Sequence, residues 1–524
     1  MSDELGVSTP GTLDVALRAA IAAHPASHVV VVSQERPREA TLGGLGADAT
    51  RVAARLQQLG IGRGGTVALV LPNWYEGLVI QAAALLVGAA ILPIVPVLGA
   101  REIAYMLADS QAEIVVMPAM FRDRDYRPML TELADVASLR QIVMVGDDVP
   151  GDAWAWDDIG SDPSSYVQPV LRTDDRALIV YTSGTTSAPK GVQHTHRSII
   201  AEAYSPVVVD CAGPATSHLC VFPSGHVAAL NVVLRILIHG TPTVLMDVWN
   251  PQRAAEVVDV YSVTVSAGAP VHLTGLLDAR DRGTACLDSL RIFTVGGASV
   301  PPALVERAEA AGIAACRTYG LSEHPTITAI TPADPLIKRM STDGRLLPGN
   351  DVRIIDPTGH NVPPGVDGEI LSRGAELFAG YRNCALDEDA FVGDWFRTGD
   401  VGRLDADGYL TVTDRKKDII IRGGENISSR EVEEILATHP RVSEVAAVGV
   451  PDERLGEKVG VFVVLRDDNP LTITDVNAHF QSNRVARQKT PEIVWVVEAL
   501  PHTAAGKVRK ERLRSIVAPE RPSN

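Results

Sequence analysis

"ALIVYTSGTTSAPKGVQHTH", residues 177–196, sets an apolar run, Ala177 to Val180, directly ahead of a turn dense in hydroxyls that closes on Lys190. A continuous run of this kind predicts a strand covered on both faces, as in parallel sheets, and not the alternating pattern of a half-exposed one. The closely spaced Gly, Ser and Thr that follow offer backbone N–H and O–H donors able to surround phosphate oxygens. The loop is not a Walker cradle, because Gly184 to Gly191 lacks the Gly-Lys-Ser/Thr ending that puts a hydroxyl on magnesium. Read alone, such a segment is more often a plain turn.

Similar runs recur on either side: "TVALVL" from 66, "AEIVVMP" from 112, "QIVMVG" from 141, "TPTVLMD" from 241 and "SVTVSAG" from 262. Helical stretches at 47–59 and 251–261 lie between them, so the first half is expected to be a layered α/β body. "LVIQAAALLVGAAILPIVPVLG", 78–99, approaches the length of a membrane span but is broken at Gly88, Pro93 and Pro96. Its expected form is a helix over 74–87 capped by Asn73 and stopped by Gly88, then a buried strand over 90–95. "MSDELGVSTP" has neither the basic start nor the apolar run of a signal peptide.

After about 330 the texture changes. "LLPGNDVRIIDPTGHNVPPGVDGEILSRG", 346–374, separates short strands with Gly and Pro, the signature of antiparallel structure, and a β subdomain is expected over about 331–413. "GYLTVTDRKKDIIIRGGENISSREVEEILATHP", 408–440, holds the expected domain boundary, dividing 1–416 from 417–524. Ser428 or Ser429 is placed to cap the helix that follows. Beyond it "EVAAVGV", "VGVFVVL" and "EIVWVV" read as strands interleaved with helix, a compact α+β unit.

Composition narrows the function. The 524 residues are 46% hydrophobic and 21% charged, as in globular enzymes, with a net charge of -16. An isoelectric point near 5.3 disfavours a nucleic-acid footprint, which needs clustered Lys and Arg. The five cysteines are scattered and never spaced Cys-x-x-Cys, which fits a reducing cytoplasm and argues against a disulfide framework or thiolate zinc site.

Further motifs follow the opening loop in order: "TYGLSE" ending at Glu323, "GEI" at 368–370, "WFRTGD" ending at Asp400, "DRKKDIIIRGGENI" at 414–427 and "LPHTAAGKVRK" containing Lys507. From about residue 10 to 515 this set resembles the adenylate-forming superfamily of acyl-CoA synthetases, luciferases and peptide-synthetase adenylation domains, most closely a stand-alone fatty or carboxylic acid–CoA ligase. The resemblance implies a large N-terminal α/β body, a β subdomain and a small mobile C-terminal domain. It implies that a carboxylate and ATP give acyl-AMP and pyrophosphate, and that the acyl group then passes to a thiol.

It also implies roles. Thr182, Ser183, Gly184, Thr185, Thr186 and Lys190 embrace the β- and γ-phosphates, with Ser187 where the family usually has glycine. Tyr319 stacks on adenine, beside Gly320, Gly297 and Ala298; Ser322, in place of the commoner threonine, reaches the α-phosphate; and Glu323 holds magnesium. Asp400 accepts the ribose hydroxyls and Arg415 contacts the ribose. Lys507 is the catalytic lysine bridging carboxylate and α-phosphate, with Lys190 and Glu323 as its catalytic partners. Lys417 is the hinge about which the small domain turns Lys507 away and brings Gly424 to the thiol side.

"VFPSGHVAAL", 221–230, matches the segment that separates the acyl site from the thiol tunnel, making His226 the gate, with Val227, Gly296 and Gly320 on the acyl side. Small apolar neighbours suggest a hydrophobic acid. The chain ends soon after Lys507 without room for a fused carrier, so coenzyme A is the expected acceptor. A ligase loading a separate acyl carrier protein is the alternative; a non-catalytic nucleotide or acyl-adenylate sensor and a luciferase-like oxygenase are the others. "PHTAAGK" matches the context in which bacterial relatives are acetylated on this lysine, so a protein acetyltransferase acting on Lys507 is an expected partner, as is a second copy in a homodimer.

Overall fold

The computed structural model describes residues 11–182, 189–205, 216–422, 425–452, 454–467, 469–483, 485, 487–503 and 506–517, and leaves the side chains of 227–232 and 426 aside. The apolar runs are strands, shared between two large sheets. A seven-stranded sheet runs Lys190–Thr195, Arg176–Thr182, Ala90–Pro93, Thr66–Leu69, Ile114–Pro118, Gln141–Val145, Trp154–Ala155. All its pairings are parallel except the first, so the strands on either side of the opening loop run antiparallel. A nine-stranded sheet has the parallel core Ala314–Tyr319, Ile292–Val295, Val265–Gly268, His218–Cys220, Thr243–Met246 and His28–Val32.

Helix Tyr75–Val87 is buried at every residue, which explains why all but Glu76, Gln81 and the Tyr75 hydroxyl are apolar. Asn73 is not its cap. Trp74 takes that position, and the Asn73 amide instead donates to Phe222 O at 2.8 Å and Met246 O at 2.9 Å, tying the helix start to the nine-stranded sheet. Gly88 stops the helix at φ 74°, the left-handed conformation glycine accepts without strain. The strand after it is shorter than expected, Ala90–Pro93, and the chain then turns so that Pro96 O accepts from Arg124 Nη1 and Tyr126 Oη. The helices expected at 47–59 and 251–261 are Leu42–Gln58 and Pro251–Val260, the second capped by Asn250. Among the described residues no helix is long and apolar enough to cross a membrane.

The Gly- and Pro-punctuated region forms a five-stranded antiparallel sheet, Asn350–Ile355, Gly368–Gly374, Phe391–Val392, Trp395–Leu404 and Leu410–Arg415. Arg345–Leu346, just before it, pairs instead with Thr328–Ala329 at the edge of the nine-stranded sheet. Arg317, from the nine-stranded sheet, holds Asp343 with Nε at 3.2 Å and Nη2 at 2.7 Å, and the other Asp343 oxygen accepts from Val412 N at 2.8 Å. This buried pair bolts the last strand of the antiparallel sheet to the α/β body.

The C-terminal strands, Ile420–Arg422, Glu425–Ile427, Val442–Asp452, Gly456–Leu465 and Ile493–Val496, make a sheet of their own. Helices Ser429–Ala437 and Ile473–Ser482 bury Val432, Leu436, Val476 and Phe480 against it. Ser428 is the cap of the first helix, its Oγ accepting from Glu431 N at 3.1 Å. Across the turn at 416–418, Asp414 accepts from Ser429 N at 2.6 Å, Ser428 Oγ donates to Thr413 O at 3.0 Å, and Ser299 Oγ donates to Glu434 at 3.0 Å.

Candidate active site

The loop that opened the sequence lies at the end of strand Arg176–Thr182, where ligand crevices of parallel sheets form. Ser183, Gly184, Thr185, Thr186 and Ser187 fall outside the described residues; Thr182 and Lys190 pair across its base. Lys190 Nζ lies 5.2 Å from the centre of the Tyr381 ring, and Tyr381 Oη donates to Glu323 Oε1 at 2.8 Å. Lys190 and Glu323 are thus joined through an aromatic residue that the motifs do not mark. Burial, with the Glu323 carboxylate beside it, pushes the Tyr381 phenol well up, so it remains a donor at neutral pH.

Glu323 is carried on a tight turn. A Cβ on Gly320 would lie 1.9 Å from Pro325 O, so only glycine lets the chain double back there. Leu321 and His324 exchange backbone bonds of 2.9 and 3.2 Å, His194 Nε2 meets Ser322 O at 2.7 Å, and Phe378 N donates to Glu323 O at 2.8 Å. Ser322 and Glu323 are therefore presented by a braced backbone.

Tyr319 is buried, and its Oη donates to Asp400 Oδ2 at 2.9 Å. The other Asp400 oxygen pairs with Arg415 Nε at 3.0 Å, the two residues facing each other across adjacent strands. Both carboxylate oxygens already have a partner, yet each keeps acceptor capacity for a ribose hydroxyl. A Cβ on Gly296 would meet Thr318 O at 2.9 Å, while Gly297 has φ 76° and open space beyond it, with Ala298 exposed alongside.

His226 stacks on Phe222 with ring centres 5.3 Å apart. His272 stands edge-on to Phe222 at 5.6 Å and to Trp249 at 4.6 Å. Burial, aided by the Lys507 ammonium, pushes His226 down to about 4, and burial does the same to His272, so both rings are neutral at pH 7. Val227 opens helix Val227–His239, with its side chain among those not described.

Lys507 comes from the far end of the chain. A narrow turn holds it: Thr503 N donates to Lys507 O at 2.7 Å, Lys507 N to Thr503 Oγ1 at 3.1 Å, and Gly506 N to Thr503 O at 2.9 Å. Gly506 has φ 80°, and a Cβ there would lie 3.2 Å from Val271 of helix Pro270–Asp281 in the α/β body. The Lys507 ammonium sits in the field of Arg415, Asp400, Asp418 and Lys417, and depresses His226 in turn. Burial first, and Arg415 second, lower it to about 8. Lys507, Asp400, Arg415, Tyr319 and His226 are thus brought together. Lys417 lies in the turn between strands Leu410–Arg415 and Ile420–Arg422, and Gly424 lies outside the described residues.

Among the described residues no group of three or more His, Cys, Asp and Glu could hold a metal by itself. Glu323 offers one hard oxygen donor, which fits a magnesium ion that takes its other ligands from water and substrate phosphates.

The family model described as AMP-binding enzyme matches residues 17–382, and the AMP-binding enzyme C-terminal domain matches 431–507. The chain is 35% identical over 472 residues to the medium-chain fatty-acid–CoA ligase of Escherichia coli, covering 87% of this chain and 82% of that one. It is 31% identical over 484 residues to the long-chain-fatty-acid–CoA ligase FadD13 of Mycobacterium tuberculosis, covering 90% and 92%. Among solved structures, ATP-bound MatB from Rhodopseudomonas palustris superposes with a TM-score of 0.86 at 26% identity over 96% of this chain and 98% of that one. O-succinylbenzoate coenzyme A synthetase from Bacillus subtilis, with ATP and magnesium, superposes with a TM-score of 0.82 at 25% identity over 96% and 98%. The chain belongs to the AMP-binding enzyme family.

Proposed function

We infer that this protein is an ATP-dependent acyl-CoA ligase acting on a hydrophobic carboxylic acid. The acid's carboxylate oxygen attacks the α-phosphorus of ATP, pyrophosphate leaves, and the acyl-AMP mixed anhydride forms. The coenzyme A sulfur then attacks the acyl carbonyl and AMP leaves. The first step brings a carboxylate onto a charged phosphate, so fixed cations at the meeting point lower the barrier most. The observation that carries this reading is the Lys507 ammonium within electrostatic reach of the Asp400–Arg415 pair and of His226.

In this reading Lys507 contacts the carboxylate and α-phosphate oxygens, Lys190 and the loop from Thr182 hold the departing pyrophosphate, and Asp400 and Arg415 fix the ribose. Glu323 holds magnesium, which when bound neutralises phosphate charge. The neutral His226, with Phe222 and His272, walls the acyl side. The small C-terminal unit, 417–524, turns about Lys417 between the half-reactions. A cytoplasmic location and a homodimer belong to the same reading, the first supported by the scattered cysteines; fractionation and sedimentation test them. Lys507 is also the site at which a protein acetyltransferase would silence the enzyme by removing its charge, read out by mass spectrometry after acetylation.

The names of the relatives support both the fatty acyl class and the coenzyme A acceptor. A panel of carboxylic acids, assayed for AMP formation with coenzyme A and separately with acyl carrier protein, tests the whole. Turnover with carrier protein alone would replace the acceptor, and no pyrophosphate with any acid despite tight ATP binding would favour a sensor.

A further inference from the structure

Behind the turn that carries Ser322 and Glu323 lies a pair of acids that the reaction does not use. Glu202, on helix His196–Ala203, and Glu376, after strand Gly368–Gly374, are 1% and 3% exposed. Their side chains lie within hydrogen-bonding reach of each other. Thr326 links both: its Oγ1 donates to Glu202 Oε1 at 2.8 Å and its N–H donates to Glu376 Oε2 at 3.2 Å. Its carbonyl accepts from Asn350 Nδ2 at 2.9 Å.

These ties converge on the phosphate end of the site. Thr326 closes the turn that bears Glu323, Phe378 just beyond Glu376 donates to Glu323 O at 2.8 Å, and Tyr381 grips the Glu323 carboxylate. Helix His196–Ala203 follows directly on the strand that begins with Lys190. One acid pair therefore fastens together the segments that present Lys190, Glu323 and Tyr381.

Two carboxyls this close inside a protein resist being ionised together, which favours one proton held between them. Burial pushes both up, Glu376 well above the ordinary carboxyl range with the Glu202 charge adding to it. The groups facing them are Arg235 of helix Val227–His239, whose charge favours an ionised Glu202, and the Asn350 amide, which favours an ionised Glu376. On the turn itself stands His324, with His194 beside it, both pushed down to about 4 by burial and so neutral.

We propose that Glu202 and Glu376 share a single proton and act as positioning residues for Glu323 and Tyr381, setting the affinity of the site for magnesium–ATP. The proposal rests on the assignment of Glu323 to the metal. The folded pair keeps a proton that the unfolded chain releases at the ordinary carboxyl pKa, so stability falls as pH rises above that value. Glu376→Gln supplies an amide that makes the same bond without a proton.

Thermal melting of wild type and Glu376→Gln between about pH 6 and about pH 9 reads the proton, with the variant expected to lose less stability as pH rises. Calorimetric titration with magnesium–ATP reads the positioning: Glu376→Gln is expected to bind within about twofold of wild type, and Glu376→Ala about tenfold more weakly. If Glu376→Ala does not fold, Thr326→Val, which removes only the hydroxyl tie, replaces it. Parallel melting slopes, or unchanged binding in the alanine variant, would overturn the proposal. A wild type that binds magnesium–ATP, shows these differences and yet never releases pyrophosphate would sink the ligase reading and leave the acid pair standing.

Discussion

Lys507 gives the sharpest expectation, because its charge is both useful and close to being lost. With a pKa lowered to about 8, it is an ammonium in the free enzyme below that pH and a neutral amine above it. The adenylation step, followed as kcat/KM for ATP by pyrophosphate release, should therefore hold level toward neutrality and fall as pH rises through about 8. Lys507→Met should lower the rate by about 10² to 10³ at pH 7 and abolish the alkaline fall, since its side chain has nothing to titrate. A variant that keeps the same fall would assign the titration to another group. Lys507, Asp400 and Arg415 were legible only as members of an ordered set, since a Gly-Lys or a Thr-Gly-Asp alone is commonplace. Tyr381, within "FAGYRN", carried no signal: its importance comes from standing between Lys190 and Glu323, a relation of space and not of spacing.

At the scale of elements, the turn from Gly320 to Pro325 is the least tolerant piece of the site. Gly320→Ala would drive a methyl onto Pro325 O, with 1.9 Å available, and the backbone would have to open. A loss of roughly 2 to 4 kcal/mol in stability is expected, together with weaker adenylation, because the same movement shifts Ser322 and Glu323. Thermal melting and pyrophosphate release check the two effects; a stable variant with full activity would show that the turn has room to relax. The strands themselves could be read from sequence because a doubly covered strand is apolar at every position. Which sheet each strand joins could not. "TVALVL" and "TPTVLMD" look alike, yet Thr66–Leu69 and Thr243–Met246 lie in different sheets. Asn73 failed for a related reason: an Asn before a helix is a common cap, but its amide nitrogen is held by tertiary acceptors, Phe222 O and Met246 O, which fixes the side chain toward the nine-stranded sheet.

For the whole molecule, the orientation described here is one in which Lys507 enters the site of the α/β body, and contacts such as Asp414 to Ser429 and Ser299 to Glu434 hold it there. If the C-terminal unit must turn before the thiol step, Lys417→Pro should leave acyl-AMP formation largely intact while slowing thioester formation from preformed acyl-AMP. Equal losses in the two half-reactions, assayed separately, would place the pivot elsewhere.

The buried pair of Arg317 and Asp343 has a mechanical meaning for such a turn. By clamping Val412, Asp343 anchors the strand ahead of residues 416–418, and if the C-terminal unit turns there, that anchor would keep twist from spreading backward into the sheet. Asp343→Asn would leave the Arg317 guanidinium without its counter-charge in the interior, at a cost of about 3 to 5 kcal/mol, and would loosen the anchor. Torque would then leak into strand Leu410–Arg415, which also carries Arg415. Both half-reactions should slow together, the opposite of the split expected from Lys417→Pro. The pair of variants would thus separate the stiffness of the mount from the freedom of the joint.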